Sequence, residues 1–199
     1  MRSFWIGLYA SLFLIGCVAA NTSLYKSSDM VVITSHPSIV ADQGVNLDLK
    51  KVWPLTENGK YLQQIRINVQ AQQYEFFVHL TITKNKLYAI AYNNMFGRLY
   101  NLTWTPTVMV WEYNKYIPMK LQPDSIILDF LLCNLPLDVL QIAINGAKAT
   151  DLPNVRLIKN NQAVLREIYR QNKIGNLYKE TVINNWQAGY SLHINTVVQ

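Results

Sequence analysis

Gln73-Tyr74-Glu75-Phe76-Phe77-Val78-His79-Leu80-Thr81-Ile82-Thr83 alternates polar and apolar side chains over eleven residues, broken only at Phe77. Successive side chains of a strand point to opposite faces, so Tyr74, Phe76, Val78, Leu80 and Ile82 share one face. A strand with so continuous an apolar face needs neighbours, and the flanking sequence supplies them. Upstream, Met30-Val31-Val32-Ile33-Thr34 is a short strand closed by His36-Pro37, and Ile65-Arg66-Ile67-Asn68-Val69-Gln70 alternates again. The segment between them, through Trp53-Pro54, has no clear period. Downstream, Leu87 to Tyr92, Arg98 to Trp104 and Val108 to Tyr113 follow turns at Asn85, at Asn93 to Gly97 and at Pro106. These intervals are too short for crossover helices, which makes the arrangement an antiparallel meander. Two of the strands are apolar on both sides, and that pattern predicts that both of their faces are covered.

The meander is then interrupted. Pro123-Asp124-Ser125 starts a helix, with Pro suited to the first turn and an acid favourable there, and Ile126 to Leu132 is apolar except for Asp129. Pro136 opens a second short helix that runs to Ile144 and ends near Asn145-Gly146. Strands resume at Val155 to Ile158, Ala163 to Tyr169, Leu177 to Ile183 and Tyr190 to Asn195. The expected fold is mainly β (α+β): a strongly curved antiparallel sheet or incomplete barrel of about nine to eleven strands, with a helical insertion near 123–144. Residues 29–199 form one domain on this reading.

The first sixteen residues have a different character. Arg2 precedes an apolar run from Phe4 to Phe13, which ends in Leu14-Ile15-Gly16-Cys17. This is shorter than the roughly 20 apolar residues a membrane span needs, and it reads as a secretory signal. Leu-Ile-Gly-Cys resembles the lipobox of bacterial lipoproteins, in which the cysteine receives a diacylglycerol, the signal is cut before it, and the new amino group is acylated. Cys17 is then the lipidated first residue of the mature chain and residues 17–28 its tether. An ordinary signal cut after Val18-Ala19-Ala20 is the alternative. Val18 stands where enterobacterial lipoproteins retained in the inner membrane carry Asp, which points to the outer membrane, facing the periplasm.

Half of the 199 residues are apolar and 15% are charged, a composition that excludes disorder. The formal charge is +6, of which the leader holds only Arg2. Lys and Arg are scattered and form no run with interleaved aromatics, so solubility explains them better than nucleic-acid binding. With Cys17 lipidated, Cys133 has no disulfide partner, and its neighbours Phe130, Leu131 and Leu132 make it a small core residue.

Nothing points to catalysis. His36, His79 and His193 are far apart, and no nucleophile elbow, phosphate loop, HExxH or CxxC occurs. No metal site and no cofactor are expected beyond the covalent lipid on Cys17. Asp129 is the most unusual charge: a carboxylate among apolar neighbours either faces solvent or is paired as a structural anchor. Function therefore falls to the surplus of apolar surface. Tyr74, Phe76, Val78, Leu80, Ile82, Leu102, Trp104 and Trp111 are the candidate walls of an apolar concavity.

Gly97-Arg98-Leu99-Tyr100-Asn101-Leu102-Thr103-Trp104, Pro123 to Leu132 with Pro136, and Gly189-Tyr190-Ser191-Leu192-His193-Ile194 together resemble an uncharacterised family of Gram-negative lipoproteins. Its members often stand beside aryl polyene biosynthesis genes, and the family is similar to the LolA/LolB lipoprotein carriers. The resemblance covers about residues 60 to 196 in order. It departs at Leu131 and Leu135, where the family tends to have Gln and Trp. It implies a half-open antiparallel barrel with helices over its concave side, holding acyl chains by non-directional contact. The function expected is binding or transfer of an amphipathic lipid or acyl-bearing molecule, from a lipid anchor in the membrane. A non-enzymatic accessory lipoprotein that docks an envelope protein partner is the alternative.

Overall fold

The computed structural model describes residues 30–35, 39–42, 44–52, 57–116, 123–161 and 163–199. The readings of the leader, of Cys17, of the tether and of His36 lie outside them.

The described residues build fourteen strands and two α-helices. β1 (Met30–Ser35), β2 (Ile39–Asp42) and β3 (Val45–Asp48) precede a meander of β4 (Gly59–Val69), β5 (Gln72–Thr83), β6 (Lys86–Asn93), β7 (Gly97–Trp104) and β8 (Met109–Asn114). Then come α1 (Pro123–Asn134), α2 (Leu137–Ala143), β9 (Ile144–Asn145) and β10 (Lys148–Asp151). A second meander of β11 (Val155–Lys159), β12 (Val164–Ile174), β13 (Leu177–Asn185) and β14 (Tyr190–Val198) closes the chain.

Eleven strands form one antiparallel sheet in the order β1-β8-β7-β6-β5-β4-β14-β13-β12-β11-β10, and β2-β3-β9 form a smaller one. The last strand pairs with the first strand of the main meander, with Ile194 opposite Ile65 and Leu192 opposite Ile67. The two meanders thus meet at the centre of the sheet and run outward to opposite edges. To pass from β8 to β10 the chain must cross a whole face of the sheet. It does so with α1 and α2, which explains why the helical insertion covers a face rather than an end.

The all-round apolar character of α1 follows from its place between two layers. Ile127, Leu128, Leu131 and Leu132 are buried, with β2 packed along the helix on one side and β13 on the other. Sequence periodicity missed the small sheet because its strands are two to four residues long and β3 pairs with β9 across about a hundred residues of chain. It also carried the second helix too far. The helix stops at Ala143, and Ile144, expected in the helix, is extended (φ −79°, ψ 135°) and pairs with Leu47.

The expectation that two strands are covered on both faces does not hold for β6. Ala89 and Ala91 are buried on the concave side, but Tyr88, Ile90 and Tyr92 on the convex side are only half-buried. No helix covers them among the described residues. They shield one another laterally instead: Tyr92 stacks between Phe77 and His79, with ring centroids 5.8 and 5.4 Å away.

Candidate functional site: an apolar cavity under the first helix

A cavity of about 340 Å³ lies between the concave face and α1, within the size range of ligand pockets. Strand pairing makes its floor. Ile65 stands between Phe76 and Ile194, and Ile67 is opposite Leu192, so one apolar row crosses β5, β4 and β14. Ile126, Ile127 and Phe130 of α1 form the roof.

Of the walls expected from alternation, Phe76, Val78, Leu80, Leu102 and Trp104 line this space. Tyr74, Ile82 and Trp111 do not. Tyr74 sits at the end of its strand and its hydroxyl bonds to Gln72. Ile82 is buried near the opposite end of the same strand. Trp111 is held in the core by stacking on Tyr100, centroids 4.6 Å apart. Alternation assigns a face but not a distance along it, which is why these three share the concave side without reaching the cavity. Among the walls left out by that reading, Ile65, Ile67, Leu192 and Ile194 lie on strands whose alternation was equally visible.

Several of the polar groups at the cavity bond to protein partners. Gln63 donates to Thr196 at 3.2 Å, and the Cys133 thiol lies 3.6 Å from the Thr181 hydroxyl. Burial is the main influence on that thiol and pushes its pKa up to about 11, so it is protonated and a poor nucleophile at neutral pH. Asp129 is neither solvent-facing nor unpaired. Arg166 Nε donates to its Oδ1 at 2.9 Å and the Tyr190 hydroxyl donates to Oδ2. Burial, then the adjacent Asp129 carboxylate, raises the Tyr190 hydroxyl well above its ordinary value, so it stays a donor.

Two further arginines fix the end of α1. Arg156 donates to the carbonyls of Leu132 (2.7 Å) and Leu135 (2.8 Å), and Arg170 to that of Cys133 (3.1 Å). These are carbonyls that a helix C-terminus leaves without intrahelical partners, and a cation there also suits the helix dipole. Asp151 binds both guanidinium groups, to Arg156 with two bonds at 2.7 and 2.9 Å and to Arg170 at 3.1 Å. The roof of the cavity is therefore pinned by buried charge rather than by apolar packing alone. Arginines that read as scattered surface charge occupy inward positions beside Ile158 and Ile168.

Among the described residues, no three His, Cys, Asp or Glu side chains gather as a metal site, and no helix is long and apolar enough to cross a membrane. His79 and His193 are exposed.

Fold and cavity together define a class: an open, curved antiparallel sheet with a pinned helix over an apolar hollow. Residues 60–198 match the family described as "Protein of unknown function (DUF3261)", and the chain belongs to that family. Its structure is similar to that of a LolA superfamily protein from Nitrosomonas europaea, with 7% identity and a TM-score of 0.40, covering 74% of this chain and 87% of that one. It is similar also to a putative outer membrane lipoprotein-sorting protein domain from Vibrio parahaemolyticus, with 10% identity and a TM-score of 0.39, covering 75% and 88%. Among curated proteins, none matches the chain.

Proposed function

We propose that this protein holds the apolar part of an amphipathic molecule in the cavity under α1. The candidate cargoes are a lipoprotein acyl chain, a glycerolipid or an aryl-polyene lipid. It works from a lipid anchor at Cys17, at the periplasmic side of the outer membrane, and as a binding or transfer protein rather than an enzyme.

The observation that carries this reading is the composition of the cavity. Ile65, Ile67, Val78, Leu102, Phe130 and Leu192 give a ligand broad apolar contact, while Gln63, Thr181, Cys133 and Asp129 already bond to protein partners. A guest gains chiefly from burial of apolar area. The inward face of β4 from Gln63 to Val69 covers about 20 Å at roughly 3.3 Å per residue, a length suited to an extended chain.

The reading is tested with a hydrophobic dye, 1-N-phenylnaphthylamine, titrated against the purified protein. Its fluorescence should rise on binding and fall when a long-chain fatty acid is added. A protein that gives no rise, under conditions where it is folded, has no accessible cavity and the reading fails. The anchor is tested separately, by mass spectrometry of the mature amino terminus, which should find acylated Cys17.

A further inference from the structure

In an antiparallel meander alternate turns lie along the same end of the sheet. The turns after β4, β6, β11 and β13 and the end of β8 all lie at one end, which makes them a single rim. β1 also starts there, with Met30 opposite Asn114, so the chain enters the sheet on this rim.

Three residues of this rim are large, apolar and held outward. Met95 is 81% exposed, Tyr116 63% and Trp186 61%. Their exposure is built into the turns. Asn93 accepts from the backbone N–H of Met95 (2.7 Å) and Phe96 (3.1 Å), Asn114 from that of Tyr116 (2.9 Å), and Asn185 from that of Ala188 (2.9 Å). From β8 to β13 is six strand spacings, roughly 29 Å at about 4.8 Å each, so the three tips span a broad edge. The turns Asn93-Asn94-Met95-Phe96-Gly97, Asn114-Lys115-Tyr116 and Asn185-Trp186-Gln187-Ala188-Gly189 contain no acid and one Lys, in a chain of net charge +6.

The cavity opens toward the same rim. On β4, Ile65, Ile67 and Val69 are half-buried, whereas Tyr61 and Gln63, farther from the rim, are buried. On β14, Tyr190, Leu192 and Ile194 are half-buried and Thr196 is buried. Ala188, next to the Trp186 tip, lines the cavity itself.

We propose that this rim docks on a phospholipid bilayer, with Trp186, Met95 and Tyr116 in the interfacial layer and the cavity mouth set against the lipid. Trp and Tyr favour that layer because an apolar ring and a polar tip are both satisfied there, and the three acid-free turns that carry them avoid repulsion from anionic headgroups. Chain length agrees: the thirteen residue-to-residue steps from Cys17 to Met30 reach at most about 45 Å extended, so an anchor at Cys17 keeps the rim close to the membrane. The proposal deepens the lipid-binding reading by naming the surface from which cargo enters, but docking can occur with the cavity empty.

The test uses the full lipidated chain in phosphatidylethanolamine/phosphatidylglycerol vesicles containing phospholipid brominated near the headgroup end of its acyl chains. Bromine quenches nearby tryptophan. Trp186 reports the rim and Trp104 reports the cavity, so the wild type is compared with Trp186→Phe and Trp104→Phe. The proposal expects at least a twofold loss of the quenched fraction in Trp186→Phe. Equal quenching in wild type and Trp186→Phe overturns it, and any quenching that then disappears in Trp104→Phe still supports lipid in the cavity. Emission from Trp186 that is unquenched by bromolipid but shifts with protein concentration assigns the rim to a second copy of the chain, and this too overturns the proposal.

Discussion

Arg166 on β12 reaches Asp129 on α1 with a 2.9 Å bond, and both side chains are almost completely enclosed, at 0% and 4% exposure. Their pairing ties the helix that roofs the cavity to the sheet beside it. Removing one partner strands a buried charge, which typically costs about 3–5 kcal/mol, whereas replacing both can be close to neutral. Arg166→Leu is expected to lower stability by an amount in that range. The double variant Arg166→Leu/Asp129→Leu should recover a substantial part of it, as measured by urea unfolding of all three proteins. Additive losses would mean that the pair is not coupled.

Asp151 gives the fold a dependence on pH. Burial alone raises its carboxyl, but the bonds and charges of Arg156 and Arg170 outweigh that and hold it below its ordinary 3.8. A depressed folded-state value contributes stability that is present above the unfolded value and is lost as pH falls through the folded one. As the solution is acidified from neutral pH through and below the ordinary carboxylate range, the urea midpoint of the wild type should therefore fall more steeply than that of Asp151→Asn. The size of the difference is limited by solvent screening of this partly exposed carboxylate. Parallel curves would show that Asp151 does not hold the two arginines in solution.

These arginines also show where sequence reading stops. The β4 to β8 meander and α1 were legible, because period-two runs separated by Asn and Pro turns, and a Pro-Asp start before an apolar run, reflect local physics. The central pairing of β4 with β14 and the β3–β9 bridge are non-local, and no local pattern encodes them. Arg156, Arg166 and Arg170 sit at the same parity as Ile158 and Ile168, so alternation did contain their inward direction. Composition argued the other way, since charged side chains are usually outside unless a partner is known. The partners, three helix-end carbonyls and two acids, come into view only once α1 is laid over the sheet.

Cys133 is a built-in probe of the cavity. With its thiol buried and its pKa pushed up to about 11, it should react with a maleimide at pH 7.5 at least tenfold more slowly than in urea. Because it lines the cavity, a long-chain fatty acid should slow it further. Peptide mapping of the labelled site measures both effects, and unchanged labelling with the fatty acid present would place that ligand elsewhere.

Ala89 faces the cavity from β6, between residues that are themselves buried. A larger side chain there can extend into empty space rather than into packed core, where overpacking costs about 1–3 kcal/mol. Ala89→Trp is expected to keep its urea midpoint near that of the wild type and to bind 1-N-phenylnaphthylamine at least tenfold more weakly. Undiminished dye binding by the folded variant would move the dye site away from the space under α1.

If the cavity under α1 carries lipid, the purified protein itself contains it. The mature protein, extracted with mild detergent and analysed by native mass spectrometry, should show a population heavier than its acylated polypeptide by the mass of one amphipathic molecule. That population should be lost in Ala89→Trp. A single species at the mass of the acylated polypeptide, unchanged after incubation with membrane lipids, would mean that the cavity holds no lipid.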